Sequence, residues 1–402
     1  MLKRILLISI HGDPLAKLGS TQSGGQNNYV KQLMNSLNKK GYQVDVITHW
    51  RDPLDSPIEV INSTLRVIRI AAKQLKFVPK DEMYHLLNTF YNEVKAKVDL
   101  NSYDVVHTNY WLSGTLGYLI KQEFNLPWVH ISHSLGLVKA ASTGTTDELR
   151  IHCEEKIFEA ADSIITTTYN EKETLLNKYH TKTNIEVIPV GVDDTFFLSP
   201  NTRPPRERYY LFIGRLEETK GIDVLIEAFK LIQNKTSEKT RLMIVGGGCK
   251  ETNEFAIPDH VKDNIKGTEE RITFTGSLSQ DELVSLFAGA LTTIVPSHYE
   301  SFGMVASESQ AVGVPVLATR VGGLQEVVQD GKTGYLFENK NSRELAKLML
   351  KLSENDYLRK KLGKQGREHA LANFDWDNIT DEVIMLYKEL VESDAEYLSP
   401  SN

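Results

Sequence analysis

The stretch Pro296–Gln310, PSHYESFGMVASESQ, follows an apolar run over 290–295 that reads as a buried strand ended by proline. Ser301 and Phe302 then lead through Gly303 into Met304 and Val305, which predicts a strand, a turn and a helix start. The first helical turn has backbone N–H groups with no acceptor inside the helix, and the helix dipole adds to their positive end. Such a turn is built to bind an anion, and a phosphate fits it. Glu300 closes the turn and Glu308 lies eight residues on, inside the helix. A ligand lying across the helix start could meet both carboxylates. By themselves, two glutamates at this spacing are equally read as a dipole-stabilised helix-start acid and a solvated helix residue.

The chain around this stretch has 402 residues, too many for one ordinary core and suited to two domains of about 200 residues each. A formal charge of −7 and 25% charged residues describe a protein with no basic surplus for nucleic acid. Cys153 and Cys249 stand far apart and outside any CxxC pattern, so neither a disulfide framework nor a zinc site is indicated, and the cytoplasm is the expected compartment. The opening MLKRILLISI is too short for a membrane span and reads as the first strand. No integral membrane segment is expected, and a homo-oligomer stays open.

From that strand, HGDPLAKLGSTQSGGQ forms a long turn-rich loop before a helix carrying Tyr29, Val30, Leu33, Met34 and Leu37. Gly24 and Gly25 stand just before it, where backbone can approach a ligand and a second helix start can face it. A dinucleotide fold would want GxGxxG in a short turn, which is absent. Strands over 44–48 and 65–70, a helix over 81–98 and strands over 104–107 and 128–132 continue a βαβ alternation. His107, Tyr110, His133 and Ser134 are thereby placed at carboxyl ends of strands, where parallel sheets form ligand crevices. A lone histidine is commonly a packed group, but His133 falls on a strand-end loop and is read as functional. After a helix over 147–161, strands over 163–167 and 185–190 complete the first domain, and the proline-rich 191–205 reads as a linker. The second domain opens with strand 209–213 and GRLEETKG, in which Arg215 and Lys220 flank a helix start and suit a diphosphate. Asp375 and Asp377 of DWD mark the start of a final helix, 376–392, and are not a metal motif.

The context PSxYExFGxxxxE, with GRLEETKG and GGQNNYV, resembles the family 4 retaining glycosyltransferases, and covers both halves of the chain. The resemblance implies an α/β GT-B fold, two Rossmann-like domains facing across a cleft: 1–195 for the acceptor, 206–372 for the nucleotide sugar, and 373–402 as a helix crossing back to the first domain. It implies a donor site of Gly24, Gly25, Arg215, Lys220, Glu300, Ser301, Phe302, Gly303, Met304, Val305 and Glu308. In it Glu300 contacts the donor sugar, Glu308 the ribose, and the intervening amides a phosphate. His133, Glu300, Arg215 and Lys220 are the residues placed closest to the chemistry. Asp193 and Asp194, in the family's GVDxxxF element, are structural. No metal site and no cofactor are implied, because the nucleotide diphosphate sugar, expected to be a UDP-sugar, is a co-substrate.

In the first domain SIHGDPLAKLGSTQSGGQNNYV and HTNYWLSG are similar to inositol-phosphate N-acetylglucosaminyltransferases, while GGQ and SHSLG are similar to sucrose-phosphate synthases. Both subgroups take a phosphorylated acceptor. Matched residue by residue, the acceptor-phosphate contacts fall on Lys80, Tyr110, Ser134 and Arg150, with Asn27 near the acceptor hydroxyls. The expectation is a retaining, metal-independent transfer of a hexose or N-acetylhexosamine to a small acceptor such as inositol phosphate or fructose 6-phosphate. The rivals are a transferase using an unphosphorylated polyol, aminocyclitol or lipid-linked sugar, a hydrolysing nucleotide-sugar epimerase, and a sugar-binding protein. A lipid-linked acceptor would call for a basic apolar face on the first domain, and the sequence shows none.

Overall fold

The computed structural model describes residues 2–16, 24–73, 75–198, 208–237, 240–247 and 257–398. Parts of the 11–26 loop and of the 191–205 linker, together with Gly248 and Cys249, lie outside them. The chain divides into two compact units, one of 1–16, 25–188 and 377–402, the other of 17–24 and 189–376.

The first unit is an eight-stranded sheet of β1 (Arg4–Ile8), β2 (Gln43–His49), β3 (Ile58–Asn62), β4 (Leu65–Ile70), β5 (Val105–Asn109), β6 (Trp128–Ile131), β7 (Ser163–Thr166) and β8 (Asn184–Val187), in the order β3-β4-β2-β1-β5-β6-β7-β8. All neighbours are parallel except β3, which pairs antiparallel with β4 at the edge. The central strands are continuous apolar runs because helices cover both faces, and Ile5, Leu6, Leu7 and Ile8 have no exposed surface. The sequence reading lacks β3, whose side chains are mostly exposed and so give no buried period.

It also lacks the helix Tyr110–Phe124, which follows β5 without the glycine or proline that would announce a turn. Tyr110 itself makes the turn, in the left-handed region at φ 75°. That costs about 1–2 kcal/mol for a residue with a Cβ and persists only where the surroundings hold it. His107 lies within β5, not at its end, and its Nδ1 is 2.5 Å from the Tyr387 hydroxyl of the final helix, Trp376–Leu398. That helix is part of the first unit from Asp377 onward, where Lys40 also meets Asp381 at 2.7 Å.

The second unit holds β9 (Tyr209–Ile213), β10 (Arg241–Val245), β11 (Ile272–Gly276), β12 (Thr292–Val295), β13 (Val316–Thr319) and β14 (Gly334–Phe337), all parallel, in the order β11-β10-β9-β12-β13-β14. Its strand order reverses between β9 and β12, the switch point at which parallel sheets open a ligand crevice. The linker segment contains a short helix, Asp194–Phe197, capped by Asp193, whose Oδ1 accepts from the Thr195 N–H at 2.9 Å. Asp193 is thus a cap, in line with the structural role expected for it. Among the described residues no helix is long and apolar enough to cross a membrane.

Candidate functional site

In the second unit, the loop after β12 enters the helix Met304–Val312 through Gly303, at φ 106°. A Cβ on Gly303 would stand 2.5 Å from Leu324 Cδ2, so the tight entry requires glycine. No side chain caps this helix, which leaves the N–H groups of Met304 and Val305 without an intrahelical acceptor. The turn is supported from below by Gly322 and Gly323. A Cβ on Gly322 would lie 2.1 Å from the Glu300 carbonyl oxygen, one on Gly323 would lie 2.2 Å from that of Ser301, and the Gly323 N–H donates to Glu300 O at 3.1 Å.

Glu300 Oε2 accepts from Lys220 Nζ at 2.6 Å and from Ser297 Oγ at 3.3 Å. The two loops are also tied through the His298 N–H, which donates to the Thr219 carbonyl at 2.9 Å. The structure therefore brings Lys220 and Glu300 together at the switch point. Arg215 is not in that pair: its side chain is exposed and its Nη1 donates to Glu217 at 2.7 Å. Glu308, half-buried in the same helix, is pushed up to about 8 by burial and then by the nearby Asp193. Phe302 is buried and meets Phe374 edge-on at 5.5 Å, and Arg367 Nη1 donates to the Ala311 carbonyl at 2.6 Å. These two later residues brace the helix, and nothing in their own sequence context marks them.

In the first unit, the carboxyl ends of β1, β5 and β6 carry a second polar cluster. Arg150, on the helix Glu148–Ala160, is buried. Its Nε donates to Glu154 Oε1 at 2.7 Å, Nη1 to the Tyr110 hydroxyl at 3.2 Å, and Nη2 to the Ser134 carbonyl and Oγ at 2.5 and 3.0 Å. The guanidinium also sits 4.9 Å from the Tyr110 ring centroid, and Lys80 Nζ sits 5.1 Å from it. Lys80, Tyr110, Ser134 and Arg150, placed together by resemblance, are thus together in space.

Arg150 and Glu154 form an i,i+4 ion pair with both side chains inside the protein. Burial pushes the Glu154 carboxyl up while Arg150, Tyr179 and the Gly136 N–H pull against that. His11, 4.5 Å from Tyr110 ring to ring, is held well below its ordinary value by burial and then by Lys80, His133, Arg51 and Arg150. Burial is the larger cause, and the nearby Lys80, Arg51 and Arg150 are cations of the kind that suit an anion.

His133 follows β6 at φ 58°, with its Nε2 2.9 Å from Asn109 Oδ1 and its ring against Tyr29. Burial pushes it down to about 3, so it is a neutral imidazole. Asn27 is buried and donates through Nδ2 to the Asp13 carbonyl at 2.9 Å, while Gly24 and Gly25 are exposed at the start of the helix Gly25–Lys39. Asn109 and His11 were not singled out from sequence: an Asn ending a strand carries no distinctive signal.

A cavity of about 300 Å3 opens elsewhere in the second unit, beside Arg208, Thr240 and Arg359 at the amino ends of β9 and β10. Its arginines are engaged: Arg208 donates to Ser353 O, and Arg359 to Leu352 O, Ser353 O and Asp356. They satisfy the carbonyls ending the helix Ser342–Glu354, and the cavity is no part of either polar cluster. Among the described residues no group of His, Cys, Asp or Glu is arranged to hold a metal ion.

Comparison with known proteins gives this arrangement a class. Residues 23–196 match the family described as Glycosyltransferase Family 4, and residues 193–369 the family described as Glycosyl transferases group 1. The chain is 33% identical over 407 residues to the D-inositol 3-phosphate glycosyltransferase of Corynebacterium jeikeium, covering 96% of this chain and 97% of that protein. It is 33% identical over 416 residues to the protein of the same name from Corynebacterium diphtheriae, covering 98% and 96%. The sucrose-phosphate synthase structure from Thermosynechococcus elongatus superposes with a TM-score of 0.91 at 33% identity, covering 97% of this chain and all of that one. The fold is GT-B and the protein is a glycosyltransferase. It belongs to the family 4 glycosyltransferases, beside the inositol-phosphate transferases and sucrose-phosphate synthases.

Proposed function

We propose that the protein is a retaining glycosyltransferase that moves a hexosyl or N-acetylhexosaminyl group from a nucleotide diphosphate sugar, a UDP-sugar, to a hydroxyl of a small phosphorylated acceptor. The observation that carries this reading is the buried Arg150, whose two terminal nitrogens face Tyr110 and Ser134 beside Lys80. A phosphate wants such charge-assisted donors at a partly dehydrated position. The relatives' names, D-inositol 3-phosphate glycosyltransferase and sucrose-phosphate synthase, point to the same substrate class.

In the proposed reaction the bond between the anomeric carbon and the leaving phosphate oxygen breaks through an oxocarbenium-like state, and the acceptor oxygen bonds the same face. The acceptor's proton passes to the departing diphosphate. Lys220, Arg215 and the amides from Phe302 to Val305 stabilise the charge growing on that group. Glu300 holds Lys220 and contacts the sugar, His133 lies near the reaction centre, and Glu308 accepts from the ribose. Gly24 and Gly25 leave the backbone open to the donor, and Asn27 lies near the acceptor hydroxyls.

Crossing UDP-, GDP- and ADP-sugars with inositol phosphate, fructose 6-phosphate and their unphosphorylated forms tests the reading. Turnover of a nucleotide sugar with no acceptor would indicate an epimerase, and no turnover with any pair a binding protein. Because protein cations and amides can carry the leaving group, chelator is expected to leave activity unchanged. Loss of activity on chelation, restored by magnesium, would contradict metal independence.

Glu308 gives a pH-dependent test. Its carboxyl, pushed up to about 8, must ionise to accept from two ribose hydroxyls, so UDP affinity is expected to rise between pH 7 and 9 and to lose that slope in Glu308→Gln. The same shift makes the protein less stable as pH rises from 4.5 to about 8, since the unfolded chain then binds fewer protons than the folded one. Calorimetric titration of UDP at a series of pH values checks the first effect; an affinity flat over that range would remove Glu308 from the ribose.

One observation favours a second reading. Leu75 and Phe77 are exposed beside exposed Lys73 and Lys76, just before Lys80, which is a basic apolar surface the sequence reading did not register. A lipid-linked acceptor would use it, and activity restricted to detergent-dispersed acceptors would select that alternative.

A further inference from the structure

The buried carboxylate of Glu154 is reached by donors from three other places in the first unit. Its Oε1 accepts from Arg150 Nε at 2.7 Å and from the Gly136 N–H at 3.2 Å. Its Oε2 accepts from the same Gly136 N–H at 2.8 Å and from the Tyr179 hydroxyl. The Tyr179 oxygen in turn accepts from the Leu137 N–H at 3.1 Å, so its own hydrogen is left for Glu154. Gly136 opens the helix Gly136–Thr143, which has no side-chain cap from its own N-cap residue. Glu154 and Tyr179 thus close that helix start from elsewhere in the chain. A Cβ on Gly136 would lie 2.9 Å from Glu154 Oε2 and 3.4 Å from Arg150 Nε, so with any larger residue here the carboxylate has to give way.

The same contacts decide what Arg150 can offer. The guanidinium is a rigid plane of five N–H donors, and holding Nε fixes the direction of the others. With Nε on Glu154, Nη1 meets the Tyr110 hydroxyl at 3.2 Å and Nη2 meets Ser134 Oγ at 3.0 Å. Ser134 stands two residues before Gly136, so one carboxylate fixes both the guanidinium and the loop that it binds. Both hydroxyl oxygens accept from Arg150, which leaves their own hydrogens to be donated to a third group. A phosphate oxygen is an acceptor of that kind.

We propose that Glu154 is a positioning residue for the acceptor phosphate: it holds the Arg150 guanidinium toward Tyr110 and Ser134, so that the hydroxyl hydrogens of both are presented to one phosphate. It acts by fixing the guanidinium and the 134–136 loop, and not by its charge. The inference rests on the reading that this cluster binds the phosphate of an acceptor. It adds a residue that touches no substrate, and it assigns the glycine at 136 to the same device.

The test starts without substrate. In a 1H–15N spectrum of the full-length protein labelled at arginine, at pH 8, the Arg150 Nε–H signal is assigned by its loss in Arg150→Lys. Bound to a buried carboxylate, that proton is expected to exchange with water more slowly than the Nε–H groups of exposed arginines. Exchange as fast as theirs would overturn the proposal, whether or not any variant folds. The kinetic arm uses a UDP-sugar with inositol phosphate or fructose 6-phosphate, and with inositol or fructose. Glu154→Ala, with Tm followed alongside, is expected to lower kcat/KM roughly tenfold or more for the phosphorylated acceptor, chiefly through KM, by analogy with the outer partners of ligating residues. The unphosphorylated acceptor should be little affected. Gly136→Ala leaves every charge in place and is expected to give the same split. Glu154→Gln is expected to recover most of the loss, because its amide oxygen can take both N–H groups that meet Oε1 while its NH2 donates to the Tyr179 oxygen. A Glu154→Gln variant as poor as Glu154→Ala would mean that the charge acts, and equal losses toward both acceptors in Gly136→Ala would mean a purely structural role; either result overturns the proposal. Absence of acceptor discrimination in Arg150→Ala is a different failure, that of the phosphate reading itself. Discrimination in Arg150→Ala without it in Glu154→Ala would overturn this inference alone.

Discussion

Arg150→Ala is expected to lower kcat/KM for a phosphorylated acceptor by about a hundredfold or more, and to change it little for the same acceptor without its phosphate. Charge-assisted hydrogen bonds contribute roughly 1.5–3 kcal/mol each, so losing two accounts for that factor. Only the phosphorylated acceptor has a partner for the guanidinium, and the comparison isolates the phosphate from the rest of the substrate. The structure adds a complication that shapes the experiment. Arg150 and Glu154 are both buried, and removing the arginine leaves a carboxylate whose remaining partners are the Gly136 N–H and the Tyr179 hydroxyl. Breaking a buried pair costs about 3–5 kcal/mol of stability. The double variant Arg150→Gln with Glu154→Gln removes both charges, and it should show the same acceptor discrimination with a smaller drop in Tm. Steady-state kinetics on both variants, with thermal unfolding alongside, checks this. Equal losses toward both acceptors would mean that Arg150 supports the fold and does not read a phosphate.

Lys220→Ala is expected to lower kcat about a hundredfold or more, since one preorganised donor to a developing anion contributes roughly 2.7–4 kcal/mol. Lys220 is paired with Glu300 at 2.6 Å, with both side chains partly exposed. The ammonium is therefore held beside the turn that leads into the helix Met304–Val312, and Glu300 keeps Ser297 Oγ as a second donor. Arg215, whose exposed side chain turns to Glu217, has farther to move, so Arg215→Ala should reduce nucleotide affinity more than kcat. Glu300→Ala should lower kcat at least about tenfold with folding intact, because the residue is at a loop surface and not in a core. Single-turnover rates with saturating donor separate the effects, and wild-type turnover in Lys220→Ala would remove it from the leaving-group site.

What could be read from sequence followed from punctuation and period. The loop before Gly303 stands out because a buried apolar run, a proline and a glycine bracket it, and the helix begins at Met304 as the turn implies. The parallel strands, with their continuous apolar runs, were legible for the same reason. Where the chain turns without glycine or proline, the reading fails. The Tyr110 turn at φ 75° is carried by a bulky residue, so the helix after it goes unannounced. The edge strand β3 is mostly exposed and has no face to show a period. The four residues of the proposed acceptor site come from four separate segments, and no spacing rule connects them. Resemblance grouped them, and the sheet order then places the ends of β5 and β6 side by side. Asn109 bonds other side chains and backbone, and a residue of that kind has no local pattern to betray it.

The central claim is that the first unit reads a phosphate on the acceptor. Its most direct test is the ratio of kcat/KM for one acceptor with and without its phosphate, measured on the wild-type protein with whichever nucleotide sugar supports turnover. The cluster of Lys80, Tyr110, Ser134 and Arg150 predicts a preference of about a hundredfold or more for the phosphorylated form. A ratio near one, with robust turnover of both, would contradict it.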